Sequence, residues 1–85
     1  MYDFLVSEYI KKLTINDIVN FGLKNNVVIK EQDANTLLIY AQKHYKTFMY
    51  GDPTSLIKEL KSKLEPNTYK EAYRLYLVNK SKYLK

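Results

Sequence analysis

The chain has no cysteine, one histidine, two glycines and two prolines in 85 residues. Without cysteine there can be no disulfide framework, thiolate metal site or thiol nucleophile, so stability must come from packing, as suits a reducing cytoplasm. His44 stands alone, and the familiar metal constellations need paired His or Cys ligands. Gly22 and Gly51 are too few and too far apart for a glycine-rich phosphate loop. No apolar run approaches the ~20 residues that a membrane span requires. Met1-Tyr2-Asp3-Phe4-Leu5 has no basic leader and Glu8 interrupts the early apolar stretch, so no signal peptide is expected. The carboxylates read as caps or surface pairs, Glu59 and Lys63 at i,i+4 among them, rather than as a catalytic pair. The expectation is a cytoplasmic protein that is not an enzyme, with no cofactor, no metal and no membrane span.

What is present is a foldable composition. Hydrophobic residues make up 46% of the chain, too many for a disordered segment. A domain this size buries only about 60 to 65% of its unfolded surface, so the core must be thin. Charge is unevenly spread. Residues 1–45 hold five lysines against five carboxylates, whereas residues 46–85 hold eight lysines and one arginine against four carboxylates, so the whole net charge of +5 falls in the second half. That asymmetry favours an anionic partner such as RNA, DNA or an acidic protein surface, but an ordinary lysine-rich solvated surface is the stronger reading.

Helical spacing organises the chain throughout. Over 2–13, Tyr2, Leu5, Val6, Tyr9, Ile10 and Leu13 fall on one face, and Phe4 points nearly opposite, where it would meet another chain or solvent. Thr14-Ile15-Asn16-Asp17 opens a second helix with a capping signature, Leu13 and Ile18 forming a hydrophobic staple. That helix runs over 15–24, burying Ile15, Ile18, Val19 and Leu23, with Gly22 allowing a neighbour close and Asn25-Asn26 stopping it. Val27-Val28-Ile29 is too short for a sheet and reads as an extended connector dropping apolar side chains into the core. A third helix over 31–45 is apolar on more than one side through Ala34, Leu37, Leu38, Ala41 and Tyr45, which makes it the central element, with Lys46 to Gly51 as the connector after it. Gly51-Asp52-Pro53 punctuates the chain and caps a fourth helix over 53–64, with Leu56, Ile57, Leu60 and Leu64 on its packed side. Thr68-Tyr69-Lys70-Glu71 matches a capping box for a fifth helix over 69–82. Its packed face is expected to carry Tyr69, Tyr73, Tyr76 and Tyr83, leaving Leu75 and Val78 on the far, charged side.

The fold class that follows is all-α, a single domain over 1–85 forming a compact orthogonal bundle of about five short helices without coiled-coil pairing. Leu13-Thr14 opening a short helix, Val27-Val28-Ile29 leading into Glu31-Gln32-Asp33-Ala34, Phe48 before a capped helix, and Pro66-Asn67-Thr68 opening the last are the resembling features. In these the chain resembles a family of small, helical, uncharacterised proteins from low-GC Gram-positive bacteria, known as a domain of unknown function. The resemblance implies an all-helical fold over nearly the whole chain and carries over no catalytic or binding residue.

Two kinds of partner follow from the surface. A protein-interaction module, self-associating or binding another protein, would use the off-stripe residues Phe4, Leu75 and Val78, and the nine tyrosines suit interfaces as well as small cores. A nucleic-acid binder would use Lys43, Lys46, Lys58, Lys61, Lys63, Lys70, Arg74 and Lys82. Lys43-His44-Tyr45-Lys46-Thr47-Phe48-Met49-Tyr50 alternates cations with aromatics, the combination that holds phosphate while bases stack, although the same aromatics could simply seal the core. A helix-turn-helix made from the second and third helices fits poorly. Their connector is long, and Glu31 and Asp33 would lead the recognition helix toward phosphates.

Overall fold

A computed structural model describes residues 2–83, and side chains within that range except those of residues 2–4, 6, 79 and 81–83. Tyr2, Phe4, Val6, Lys82 and Tyr83, all given roles above, therefore lie outside the described side chains. The described residues form five α-helices and no strand: α1 (Tyr2–Lys12), α2 (Ile15–Lys24), α3 (Glu31–Tyr50), α4 (Thr54–Lys63) and α5 (Pro66–Tyr83). The chain divides into two compact units, Met1–Tyr45 and Lys46–Lys85.

In the first unit, α2 begins on the expected Thr14 cap, which Asp17 completes as a capping box. The Thr14 hydroxyl accepts from the Asp17 N–H at 3.1 Å and the Asp17 carboxylate accepts from the Thr14 N–H at 3.0 Å, which satisfies two donors that a helix start leaves open. The helix ends at Asn25, whose Nδ2 donates to the Phe21 carbonyl at 2.8 Å, and Asn26 takes the left-handed backbone with φ 62°. The chain then doubles back so closely that the Val27 N–H donates to the Gly22 carbonyl at 2.8 Å. A Cβ at Gly22 would lie 2.7 Å from Ile29 Cδ1 and 2.8 Å from the Val27 carbonyl oxygen, so this approach needs glycine. Val27 and Ile29 are buried and Val28 is 77% exposed, the alternation of an extended segment. Ala34 completes the buried apolar set of this unit, and Asp33 is buried beside it. Leu5, Tyr9 and Leu23, expected on packed stripes, are exposed.

The Gln42 side chain ties α3 to the end of α1. Its Nε2 lies 3.3, 3.4 and 3.3 Å from the carbonyl oxygens of Ile10, Lys11 and Leu13, a shared and long contact at the end of α1, where the Ile10 carbonyl also accepts from the Leu13 N–H at 3.2 Å.

The connector expected over residues 46–51 is helical as far as Tyr50. α3 departs from helical geometry inside its length only at His44, with φ −128° and ψ 20°. His44, Tyr45, Thr47, Phe48 and Tyr50 are weak helix formers because their branched or aromatic side chains lose rotamer freedom against the preceding turn. The kink falls one residue before the last residue of the first unit.

In the second unit α4 packs on α5, and the buried apolar residues are Leu60, Leu64 and Leu75. Asp52 accepts from the Thr54 N–H at 3.1 Å and from the Thr54 hydroxyl at 2.5 Å, a turn one residue ahead of the helix; Pro53, expected as the first helical residue, is itself the N-cap and Asp52 is not. α5 starts two residues before its expected capping residue. Pro66 opens the helix with its fixed φ, and the Tyr69 N–H donates to the Glu65 carbonyl at 2.8 Å, so Thr68 lies inside the first turn, buried. Glu71, released from a capping role, binds Arg74 at 2.8 Å.

Candidate functional site

The second face of α5 is the feature that sequence reasoning placed incorrectly. Thr68 and Leu75 are buried and Ala72 and Tyr76 half-buried, all within one arc of the helix. The expected outward residue Leu75 is only 6% exposed and belongs to the core. Leu75 lies on the wheel about 20° from Thr68 and about 60° from Ala72, at the edge of the buried arc, whereas size and aromaticity draw the packed stripe through the tyrosines. Val78 is outward as expected, 54% exposed, and its companions are Tyr73 at 39% and Leu77 at 47%. At 100° per residue Leu77 falls about 20° from Lys70 and between it and Tyr73, a placement readable from the sequence once the cations are taken to mark the wet side. The Tyr73 ring stacks on Tyr69 at 6.0 Å and 14°, which holds it in place.

The cation and aromatic run over residues 43–50 divides differently. Tyr45 and Phe48 are half-buried and Tyr50 is exposed. Phe48 meets Tyr76 edge to face at 5.6 Å, and the Tyr76 hydroxyl donates to the Phe48 carbonyl. That carbonyl is in the last turn of α3, where helix bonding runs out, so Tyr76 supplies a donor the backbone lacks. Lys80 Nζ donates to the Tyr76 hydroxyl at 3.1 Å and lies 5.4 Å from the ring centroid, placing a cation near the negative end of α3. The Asp52 carboxyl is held below its ordinary 3.8, first by the Thr54 hydroxyl, then by the Thr54 N–H, with a lesser pull from Lys80. This cluster of Asp52, Tyr76 and Lys80 was not foreseen, and no local sequence signal pairs residues 28 apart. Its geometry is that of a helix-end tie.

The cations expected to contact nucleic acid are on the surface where they are described. Lys43, Lys46, Lys58, Lys61, Lys63, Lys70 and Arg74 are all exposed, Lys43 in the first unit and the others in the second. Lys58 and Lys61 share a side of α4, while Lys63 lies about 140° or more around the helix from both. Lys61 and Lys63 occupy the last turn of α4, where they complement the helix dipole, and Arg74 is paired with Glu71. His44 lies 5.8 Å from Tyr40, ring to ring. Among the described residues no three His, Cys, Asp or Glu side chains come together in a way that could hold a metal ion, and no helix is long and apolar enough to cross a membrane.

No protein family, curated protein or solved structure matches the chain.

Proposed function

We propose that this chain is a small, non-enzymatic protein-interaction module of the cytoplasm. One observation carries the reading: α5 is apolar on two opposite sides, with Leu75 spent on the core while Tyr73, Leu77 and Val78 stay in water. Isolated exposed apolar residues are ordinary, but three large ones within one arc of a helix in a thin-cored chain are a surface that association would cover. The test is affinity purification of the tagged chain from its native cell with and without nuclease. A protein partner that survives nuclease supports the reading, and recovery of nothing reproducible beyond background removes it. Light scattering at high concentration separates a self-associating chain from one that needs another protein.

A second reading is favoured by the charge step. The boundary between the two units falls at the same position as the change from zero to +5, so the entire excess belongs to one unit and its described cations, Lys80 apart, are exposed. Weak, sequence-tolerant binding of RNA or DNA through Lys46, Lys58, Lys61, Lys63, Lys70 and Arg74 would follow. Such binding should weaken steeply with salt, whereas apolar docking should not.

A further inference from the structure

We propose that the outward face of α5, formed by Lys70, Tyr73, Arg74, Leu77 and Val78, docks an acidic amphipathic helix of another protein. The inference rests on the interaction-module reading and adds the partner's chemistry. At 100° per residue the five side chains occupy an arc of about 140°, opposite the arc that carries Thr68, Ala72, Leu75 and Tyr76. Three are large and apolar and two are cations, all exposed. Tyr73 is already stacked on Tyr69, so an incoming side chain meets a ring that loses little freedom on binding. The Glu71–Arg74 pair is a surface i,i+3 contact with the Arg74 side chain 53% exposed, so exchanging Glu71 for a partner carboxylate costs little.

Charge selects among occupants. A second copy meeting this face about a two-fold axis would bring the Lys70 and Arg74 cations of both copies into one interface, in a unit that already carries the whole net charge of +5. A nucleic-acid strand could stack on Tyr73 and pair with the two cations, but it would leave Leu77 and Val78 with nothing apolar to cover them. An anionic lipid surface calls for a broad apolar face, and the opposite side of α5 is already taken up in packing on α4. A helix with apolar anchors at i, i+3, i+4 and i+7 bordered by Glu and Asp satisfies the apolar residues and the cations together.

The experiment uses the full chain, isotopically labelled, titrated with a synthetic helix of about 16 residues carrying leucines at that spacing and glutamates elsewhere, long enough to be helical when bound. The control is a peptide of the same composition with the leucine spacing scrambled. Amide shifts should concentrate at residues 70–78, and the scrambled peptide should bind about tenfold more weakly or worse. Replacing Leu77→Ser together with Val78→Ser should cost about tenfold as well, with an unchanged melting curve because both are exposed. Lys70→Glu with Arg74→Glu should abolish binding of the acidic helix and create binding of its lysine counterpart, a gain that misfolding cannot mimic. Equal affinity for the scrambled peptide, shifts centred elsewhere, dimerisation through this face, or tighter binding here of phosphatidylserine vesicles or poly(U) would each overturn the proposal. In the native-cell purification, a partner captured equally by the Leu77→Ser, Val78→Ser chain removes this face and leaves the module reading standing, whereas a wild-type chain that captures nothing removes the module reading itself.

Discussion

Gly22 shows how much one hydrogen atom can decide. Alanine is the better helix former by about 1 kcal/mol, so the usual expectation is a gain from Gly22→Ala. Here the added methyl meets Ile29 Cδ1 at 2.7 Å, which can rotate away, and the Val27 carbonyl oxygen at 2.8 Å, which can move only with the backbone whose N–H is bonded to Gly22. Overpacking of this kind costs about 1–3 kcal/mol, so Gly22→Ala should destabilise on balance, and a urea midpoint equal to or above wild type would contradict the close approach. Asp52 makes a second residue-level prediction, this one about pH. Its carboxyl is held below 3.8 chiefly by Thr54, so the Asp52–Thr54 contact contributes stability while pH exceeds the unfolded value and loses it as pH falls below 3.8 and through the folded value. Thr54→Val removes the first cause and should move the Asp52 carboxyl upward in an NMR titration. An unmoved titration would mean that the hydroxyl does not hold it.

On the element scale, α5 has the wrong and the right faces side by side. Leu75→Ala should cost about 2–4 kcal/mol, as truncation of a buried leucine does, while Val78→Ala and Glu71→Ala should each stay within about 0.5 kcal/mol. The reverse order in thermal melts would restore the face expected from the tyrosines. The contrast between α2 and α5 explains which parts of the structure were legible. The cap at Thr14 and Asp17, the stop at Asn25-Asn26 and the alternation of Val27 and Ile29 depend on atoms within a few residues, so local pattern determines them. Thr68 and Glu71 match the same cap motif, yet Pro66 can begin a helix without one, and the motif is then absorbed into the first turn. Burial of Leu75 depends on where α4 lies, and the extension of α3 to Tyr50 accompanies a bond from Tyr76; both are set by residues far along the chain. The candidate surface was half legible for the same reason: Val78, Lys70 and Arg74 declare an outward side and place Leu77 on it, but Tyr73 looks like core until the packed arc is known.

For the molecule as a whole, the coincidence of the unit boundary with the charge step makes the two halves respond differently to salt. The first unit has equal numbers of positive and negative side chains, and its compact state carries no net self-repulsion. The second confines an excess of +5 to 40 residues, and like charges held close destabilise a compact state in proportion to how poorly they are screened. Screening reaches about 10 Å at 0.1 M salt and about 3 Å at 1 M, so sodium chloride over that range should relieve the second unit selectively. Chloride is the right anion, because sulfate would strengthen apolar burial in both halves. Hydrogen-exchange protection at Leu60 and Leu75, buried in the second unit, should rise a few-fold with chloride, while protection at Gly22 and Ala34 in the first stays nearly constant. Equal responses in the two halves would mean that they open together and that the charge step has no energetic counterpart. A fall in the second half would mean that local ion pairs such as Glu71–Arg74 outweigh the repulsion, since salt weakens those pairs as well.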